Sequence, residues 1–202
     1  MDLTAVEGEL RTKVAAGALD DAAGLAISSY GAELLGFLRA TSRDDDLADE
    51  AFAIASEQLW KHLASFRWEA LVRTWFYQLG RNALHQLRVD PRRRRERNLP
   101  FSLVTSIEEV HRQPTPAFQR TEVKQALREL RDRLEPLDHE LLILRLDRSM
   151  SWKDIARALT EDEAEAAGEV ERRAASLRKR YERIKLELRE LAIARGLLES
   201  RD

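Results

Sequence analysis

Four histidines, His62, His85, His111 and His139, are the first residues to examine for chemistry, and their spacing denies them a shared metal. His139-Glu140 begins as a zinc-protease helix does, but no His follows at the place that would complete the site. The chain has no Cys, which excludes disulfides and thiolate metal sites. It has no glycine-rich phosphate cradle and no serine elbow. The carboxylates of Asp44, Asp45, Asp46, Asp49 and Glu50 are numerous enough for an acid–base pair. Their position just ahead of an apolar stripe suits helix capping better. The expectation is a protein that is not an enzyme, with no cofactor, no metal and no small-molecule substrate.

What remains is charge and its placement. Charged residues make up 35% of the 202, yet the formal net charge is only −2. The two signs are separated along the chain. The acidic block at 44–50 is followed by a basic run, Arg92, Arg93, Arg94, Arg95 and Arg97. A second basic block holds Arg172, Arg173, Arg178, Lys179, Arg180, Arg183 and Lys185. Separated blocks of opposite sign suit two different partners, one of them nucleic acid.

The elements that must carry these residues read as helices throughout. Gly and Pro, the main helix breakers, number only 8 and 5. Leu3, Val6, Leu10 and Val14 predict a short first helix. A second helix is expected after Asp20 or Asp21 as cap, with a turn at Ser42-Arg43-Asp44-Asp45. Leu47, Ala51, Ala55, Leu59 and Leu63, flanked by Phe52 and Ile54, mark a third. Leu71, Trp75, Leu79, Ala83 and Leu87, widened by Val72 and Phe76, predict a fourth. Its opposite face then carries Arg73, Tyr77, Arg81, His85 and Arg88. Cations can neutralise phosphates there, and a ring can stack on an exposed base. A solvated face is the plainer reading of the same pattern.

Four of the five prolines, Pro91, Pro100, Pro114 and Pro116, fall where periodicity fades. The expected organisation is therefore a helical domain over 1–90, a flexible linker over 91–120 and a second helical domain over 121–202. In the second domain Thr121 is expected to cap a helix carrying Val123, Leu127, Leu130 and Leu134, and Pro136 to open the next. Ser151-Trp152-Lys153-Asp154 has the form of a capping box ahead of Ile155, Ala156 and Leu159. Leu177, Tyr181, Ile184, Leu188 and Leu191 predict a long final helix with a basic outer face. A short helix followed by a longer basic one has the form of a helix-turn-helix, whose second helix enters the major groove. The same helix is open to a reading as a coiled-coil partner. The segment Met1–Leu10 carries Asp2, Glu7 and Glu9 and is not expected to act as a signal peptide, and no apolar stretch has the length to span a bilayer. A cytoplasmic location without membrane insertion is expected.

Two blocks, in order, resemble bacterial RNA polymerase sigma factors of the extracytoplasmic-function type. Asp45-Asp46-Leu47-Ala48-Asp49-Glu50-Ala51-Phe52 is similar to the family's region 2.2. Phe66-Arg67-Trp68-Glu69-Ala70-Leu71-Val72-Arg73-Thr74-Trp75-Phe76-Tyr77 is similar to region 2.3, and Gly80-Arg81-Asn82-Ala83-Leu84-His85-Gln86-Leu87-Arg88 to region 2.4. Leu134-Glu135-Pro136-Leu137-Asp138, Leu142-Ile143-Leu144-Arg145-Leu146 and Ser149-Met150-Ser151-Trp152-Lys153-Asp154-Ile155-Ala156 resemble region 4.

The resemblance implies an all-α protein of two small domains that binds core RNA polymerase and promoter DNA. Asp46, Asp49, Glu50, Glu57, Gln58 and Trp60 would dock on the clamp helices of the largest subunit. Arg67, Trp68, Arg73, Tyr77, Arg81, Asn82, His85 and Arg88 would hold the −10 element, with an unstacked base captured near Phe66–Leu71. Ser151, Lys153, Ser176, Arg178, Lys179, Arg180 and Arg183 would read the −35 element, while the domain also meets the flap of the second-largest subunit. An anti-sigma partner is implied too. Trp60 and Trp152 fit core packing as well as partner contact.

One departure stands out. The family joins the two helices of its helix-turn-helix by a tight turn, but here the acidic run Thr160–Glu169 intervenes, with Thr160 and Glu163 as an expected second capping pair. It puts the start of the recognition helix, and so the −35 readers, in question. Two rival readings stand beside the sigma factor: a stand-alone helix-turn-helix regulator, and a sigma-like decoy that occupies polymerase without reading promoters.

Overall fold

The computed structural model describes residues 2–90, 133–160 and 167–194. The protein is all-α: every regular element among the described residues is helical. The chain divides into two compact units, Met1–Arg112 with Arg157–Ala164 and Gln113–Ala156 with Glu165–Asp202. The Arg92–Arg97 run, the 91–120 linker and the helix expected after Thr121 lie outside the described residues, apart from Leu134 at its end.

In the first unit α1 (Leu3–Ala15) opens on Asp2, whose carboxylate accepts the Thr4 N–H at 3.0 Å. Only Leu10 of its apolar residues is buried. The long helix α2 (Leu19–Ser42) begins earlier than expected. Ala18, not an aspartate, holds the cap position, and Asp20 and Asp21 sit in the first turn, where the helix dipole favours carboxylates. Arg43 ends α2 in the left-handed region, at φ 57°. Asp44 then caps α3 (Asp45–His62) by accepting the Leu47 N–H at 2.9 Å. The turn at 42–45 therefore falls where the sequence puts it.

α3 buries Leu47, Ala51, Phe52, Ala55 and Leu59 on one face, and a single 3₁₀ turn, Leu63–Ser65, continues that face through Leu63. A loop over 66–71 leads into α4 (Val72–Val89). α4 packs against both α2 and α3. Along α2 the partners ascend together: Glu33 with Arg73, Phe37 with Tyr77, and the Thr41 carbonyl with Arg88. The two helices therefore run in the same sense. They approach closely at Gly80, where a Cβ would stand 2.9 Å from Leu34 Cδ1.

In the second unit Pro136 occupies the first turn of α5 (Pro136–Leu142), where its missing N–H costs nothing. One widened π turn, Ile143–Asp147, follows, closed by the Arg148 N–H on the Ile143 carbonyl at 3.0 Å. Ser149, at φ 53°, turns the chain into α6 (Trp152–Ala158). The Ser151 hydroxyl accepts the Asp154 N–H at 3.2 Å and donates to the Asp154 carboxylate at 2.5 Å. Ile155 and Ala156 are buried, as their spacing predicts, and so is Leu159, in the stretch Arg157–Ala164 that groups with the first unit. α7 (Ala167–Ala194) buries Leu177, Tyr181 and Ile184, while Leu188 and Leu191 are half-buried.

Candidate nucleic-acid and polymerase interfaces

The acidic face of α3 starts from a capped N-terminus. Asp46 is exposed there. Asp49 is half-buried and already paired with Arg39 of α2, Oδ1 to Nη2 at 2.9 Å. Glu57 binds Lys61 one turn on, and Glu50 and Gln58 are half-buried. Trp60 is 51% exposed, and its indole N–H donates to Asp20 Oδ1 at 2.7 Å. That one bond fixes the ring while leaving much of its surface in water.

The loop over 66–71 is floored by aromatic contacts. Phe66 stacks on Trp75 of α4 at 4.8 Å, and Trp68 meets Phe66 edge-on at 5.3 Å. Trp68 holds a left-handed backbone, φ 60°, which is costly for a bulky residue. The Arg11 guanidinium of α1 lies over its ring at 5.4 Å. Arg67 is exposed, 3.6 Å from Glu69.

α4 corrects the expected basic face. Arg73 is only 6% exposed and Tyr77 is fully buried, so neither is presented to a DNA surface. The single-stripe reading failed because α4 is covered by α2 as well as by α3. Arg73 Nε and Nη2 donate to the two oxygens of Glu33. Burial works against the Arg73 charge, but Glu33 outweighs it and holds the guanidinium above its ordinary pKa. Tyr77 packs on Phe37, ring centroids 5.3 Å apart. The accessible part of the set is the C-terminal half: His85 and Arg88 are exposed, and Arg81 and Asn82 are half-buried.

The start of α4 is held by a residue that the sequence did not single out. Leu71 offers no side-chain cap. Glu7 of α1 supplies one instead: Oε2 accepts the Val72 N–H at 2.9 Å, and Oε1 accepts the Arg73 N–H at 3.1 Å. The Tyr30 hydroxyl donates to the same Oε1 at 3.0 Å. Burial, then the Glu7 charge, push the Tyr30 phenol well above its usual pKa. No local signal marks Glu7, because its partners lie 65 and 66 residues away.

In the second unit Ser176, Arg178, Lys179 and Arg183 are exposed along α7. Ser151 and Lys153 are exposed at the start of α6, with Lys153 paired to Glu171 at 2.6 Å. Arg180 is the exception. Its Nε donates to Asp138 of α5, and that bond raises its pKa. It ties α7 to α5 while a third of its side chain stays exposed. The segment 161–166, with Glu163 of the expected capping pair, lies outside the described residues.

Among the described residues no group of His, Asp and Glu is arranged to hold a metal, and no helix is long and apolar enough to cross a membrane. No family model, no curated protein and no solved structure matches the chain.

Proposed function

We propose that this chain is a sigma-type transcription initiation factor of the extracytoplasmic-function kind. It binds core RNA polymerase and directs it to promoters through −10 and −35 elements. The observation that carries this reading is the loop over 66–71. Its aromatic floor of Phe66 and Trp75 carries an exposed Arg67, with a half-exposed Trp60 on α3 before it in the chain and exposed His85 and Arg88 on α4 after it. Stacking surface beside cations grips an unstacked base without needing much sequence code. Asp46 and Trp60 serve as the polymerase contacts left open on α3, and promoter contact on α4 falls to Arg81, Asn82, His85 and Arg88. In the second unit Ser176, Arg178, Lys179 and Arg183 serve the −35 element.

Reconstitution with core polymerase tests the proposal. Co-elution with core, followed by run-off transcription from a genomic promoter pool, should give defined new start sites. Failure to bind a competent core overturns it. The exposed basic face of α7 also favours a second reading, a stand-alone helix-turn-helix regulator. Sequence-specific duplex binding without polymerase would select it. Polymerase binding without transcription would instead mark a decoy.

A further inference from the structure

Three residues on one face of α1 reach the segment that holds the loop over 66–71. Glu7, Leu10 and Arg11 stand at i, i+3 and i+4, the spacing that aligns side chains along a helix. Leu10 is the only buried residue of α1, so apolar packing gives this helix a small anchor. Its other grips are polar. Glu7 holds the Val72 and Arg73 N–H groups, where the loop ends. Arg11 meets Trp68 in the middle of the loop, its guanidinium 5.4 Å from the ring centroid. Trp68 is the loop residue most in need of holding. Its φ of 60° belongs to the left-handed region, and a bulky residue stays there only where its surroundings over-determine it. Phe66, itself seated on Trp75, refers the ring to α4, and Arg11 refers it to α1. Arg11 is exposed, and a cation over a ring at an exposed position is a small contribution to the stability of a whole fold. The contact is large only for the placement of one ring.

We infer that Arg11 is a positioning residue for strand capture: by seating Trp68 it keeps the loop over 66–71 ready to receive an unstacked base. What the loop receives rests on the sigma reading proposed above, and how the loop is held rests on the α1 contacts. Arg11 touches no DNA in this role. A loop held ready loses less freedom on binding than one that its ligand must order. The effect therefore falls on promoter opening and not on polymerase binding, whose proposed contacts, Asp46 and Trp60, lie on α3.

Wild type, Arg11→Ala and Arg11→Lys, each as the full chain, test this with two measurements. The first, without polymerase, follows the indole N–H signals of the four tryptophans by NMR, that of Trp68 being identified by its loss in Trp68→Phe. Arg11→Ala should shift the Trp68 signal and lower its order while leaving the melting temperature unchanged. Arg11→Lys, which returns a cation to the ring, should restore part of both. The second adds core polymerase and follows permanganate reactivity of melted thymines at a promoter found by run-off transcription. Arg11→Ala should lower the opening equilibrium about twofold to fivefold, the value of one exposed cation–ring contact, at unchanged affinity for core. Arg11→Lys should recover most of it. A Trp68 signal unmoved in Arg11→Ala, or equal opening by Arg11→Ala and wild type, overturns the inference and leaves the sigma reading standing. Failure of the wild type to bind core overturns the sigma reading instead, and the Trp68 signal still decides whether Arg11 holds the ring.

Discussion

Glu33 and Arg73 face each other across the seam between α2 and α4, and the Glu33 carboxylate takes both Nε and Nη2 of the guanidinium. The Arg73 side chain is 7% exposed and that of Glu33 22%. The pair therefore belongs to the interior of the first unit. Removing one partner from such a pair leaves the other charged and unmatched. Glu33→Ala is expected to destabilise the protein by about 3 kcal/mol. The double variant Glu33→Leu/Arg73→Met should cost clearly less than that single change. Urea unfolding of the three proteins checks the order, and a double variant at least as unstable as Glu33→Ala would refute it.

The Glu7 cap makes a second prediction. Three donors, the Val72 and Arg73 N–H groups and the Tyr30 hydroxyl, depend on its carboxylate. Glu7→Ala should lose about 2 kcal/mol, the scale of hydrogen bonds to a charged acceptor. Glu7→Gln, which keeps an acceptor oxygen but not the charge, should recover part of it. Thermal melts measure both, and a melting temperature for Glu7→Ala equal to that of wild type would show that the cap contributes nothing.

Tyr30 gives that cap a pH dependence. Its folded pKa lies above the ordinary value of 10.0, so the folded state holds the phenolic proton more tightly than the unfolded state does. The stabilisation is complete below pH 10 and declines as pH rises from there towards the folded pKa. Above pH 10 the wild type should lose up to about 1.4 kcal/mol per pH unit from this one group. Tyr30→Phe should lack that component, so its stability curve should be flatter than that of wild type between pH 10 and 11. Parallel curves would exclude Tyr30 as the source.

Gly80 is expected to resist substitution. Alanine there would press its methyl into Leu34, which is fully buried. Overpacking of this kind costs about 1–3 kcal/mol, against about 1 kcal/mol gained in helix propensity. Gly80→Ala should be destabilising on balance, and adding Leu34→Val should restore part of the loss. Denaturant midpoints of the single and double variants decide it, and a stabilised single variant would show that Leu34 moves aside freely.

Trp60 separates binding from folding. Its ring is half in water, so Trp60→Ala should leave the melting temperature almost unchanged. Under the proposed function the same change should weaken core polymerase binding at least tenfold, the loss of one central aromatic anchor. Competition for core polymerase against the wild type measures it, and equal affinity would remove Trp60 from the interface.

Much of the helical layout was legible because apolar periodicity and capping chemistry are local. The stripe from Leu47 to Leu63, the turn at 42–45 and the start at Pro136 follow directly from residue order. The faces of α4 were less legible. A wheel drawn for one helix assumes one buried side, and Arg73 and Tyr77 look polar enough to be outside. They are inside because α2 brings Glu33 and Phe37 to meet them, and that pairing is a property of two helices rather than one. The Arg180 partner was equally hidden from a local reading, since Asp138 lies 42 residues earlier. Arg178, Lys179 and Arg183 are exposed, as the basic outer face expected of this helix requires.

The distance in sequence between Glu7 and the helix it caps bears on how the chain is made. α1 leaves the ribosome ahead of α4, and the N–H groups it serves follow some sixty residues later. With Leu10 as its only buried residue, α1 has little to hold it in the interval. α2 and α3 are joined by a short turn and can pair as they emerge, because contacts near in sequence close fastest. Of these four helices, the earliest made is then the last fastened. In a refolding experiment, docking of α1 should accompany the final gain of structure in α4 rather than precede it.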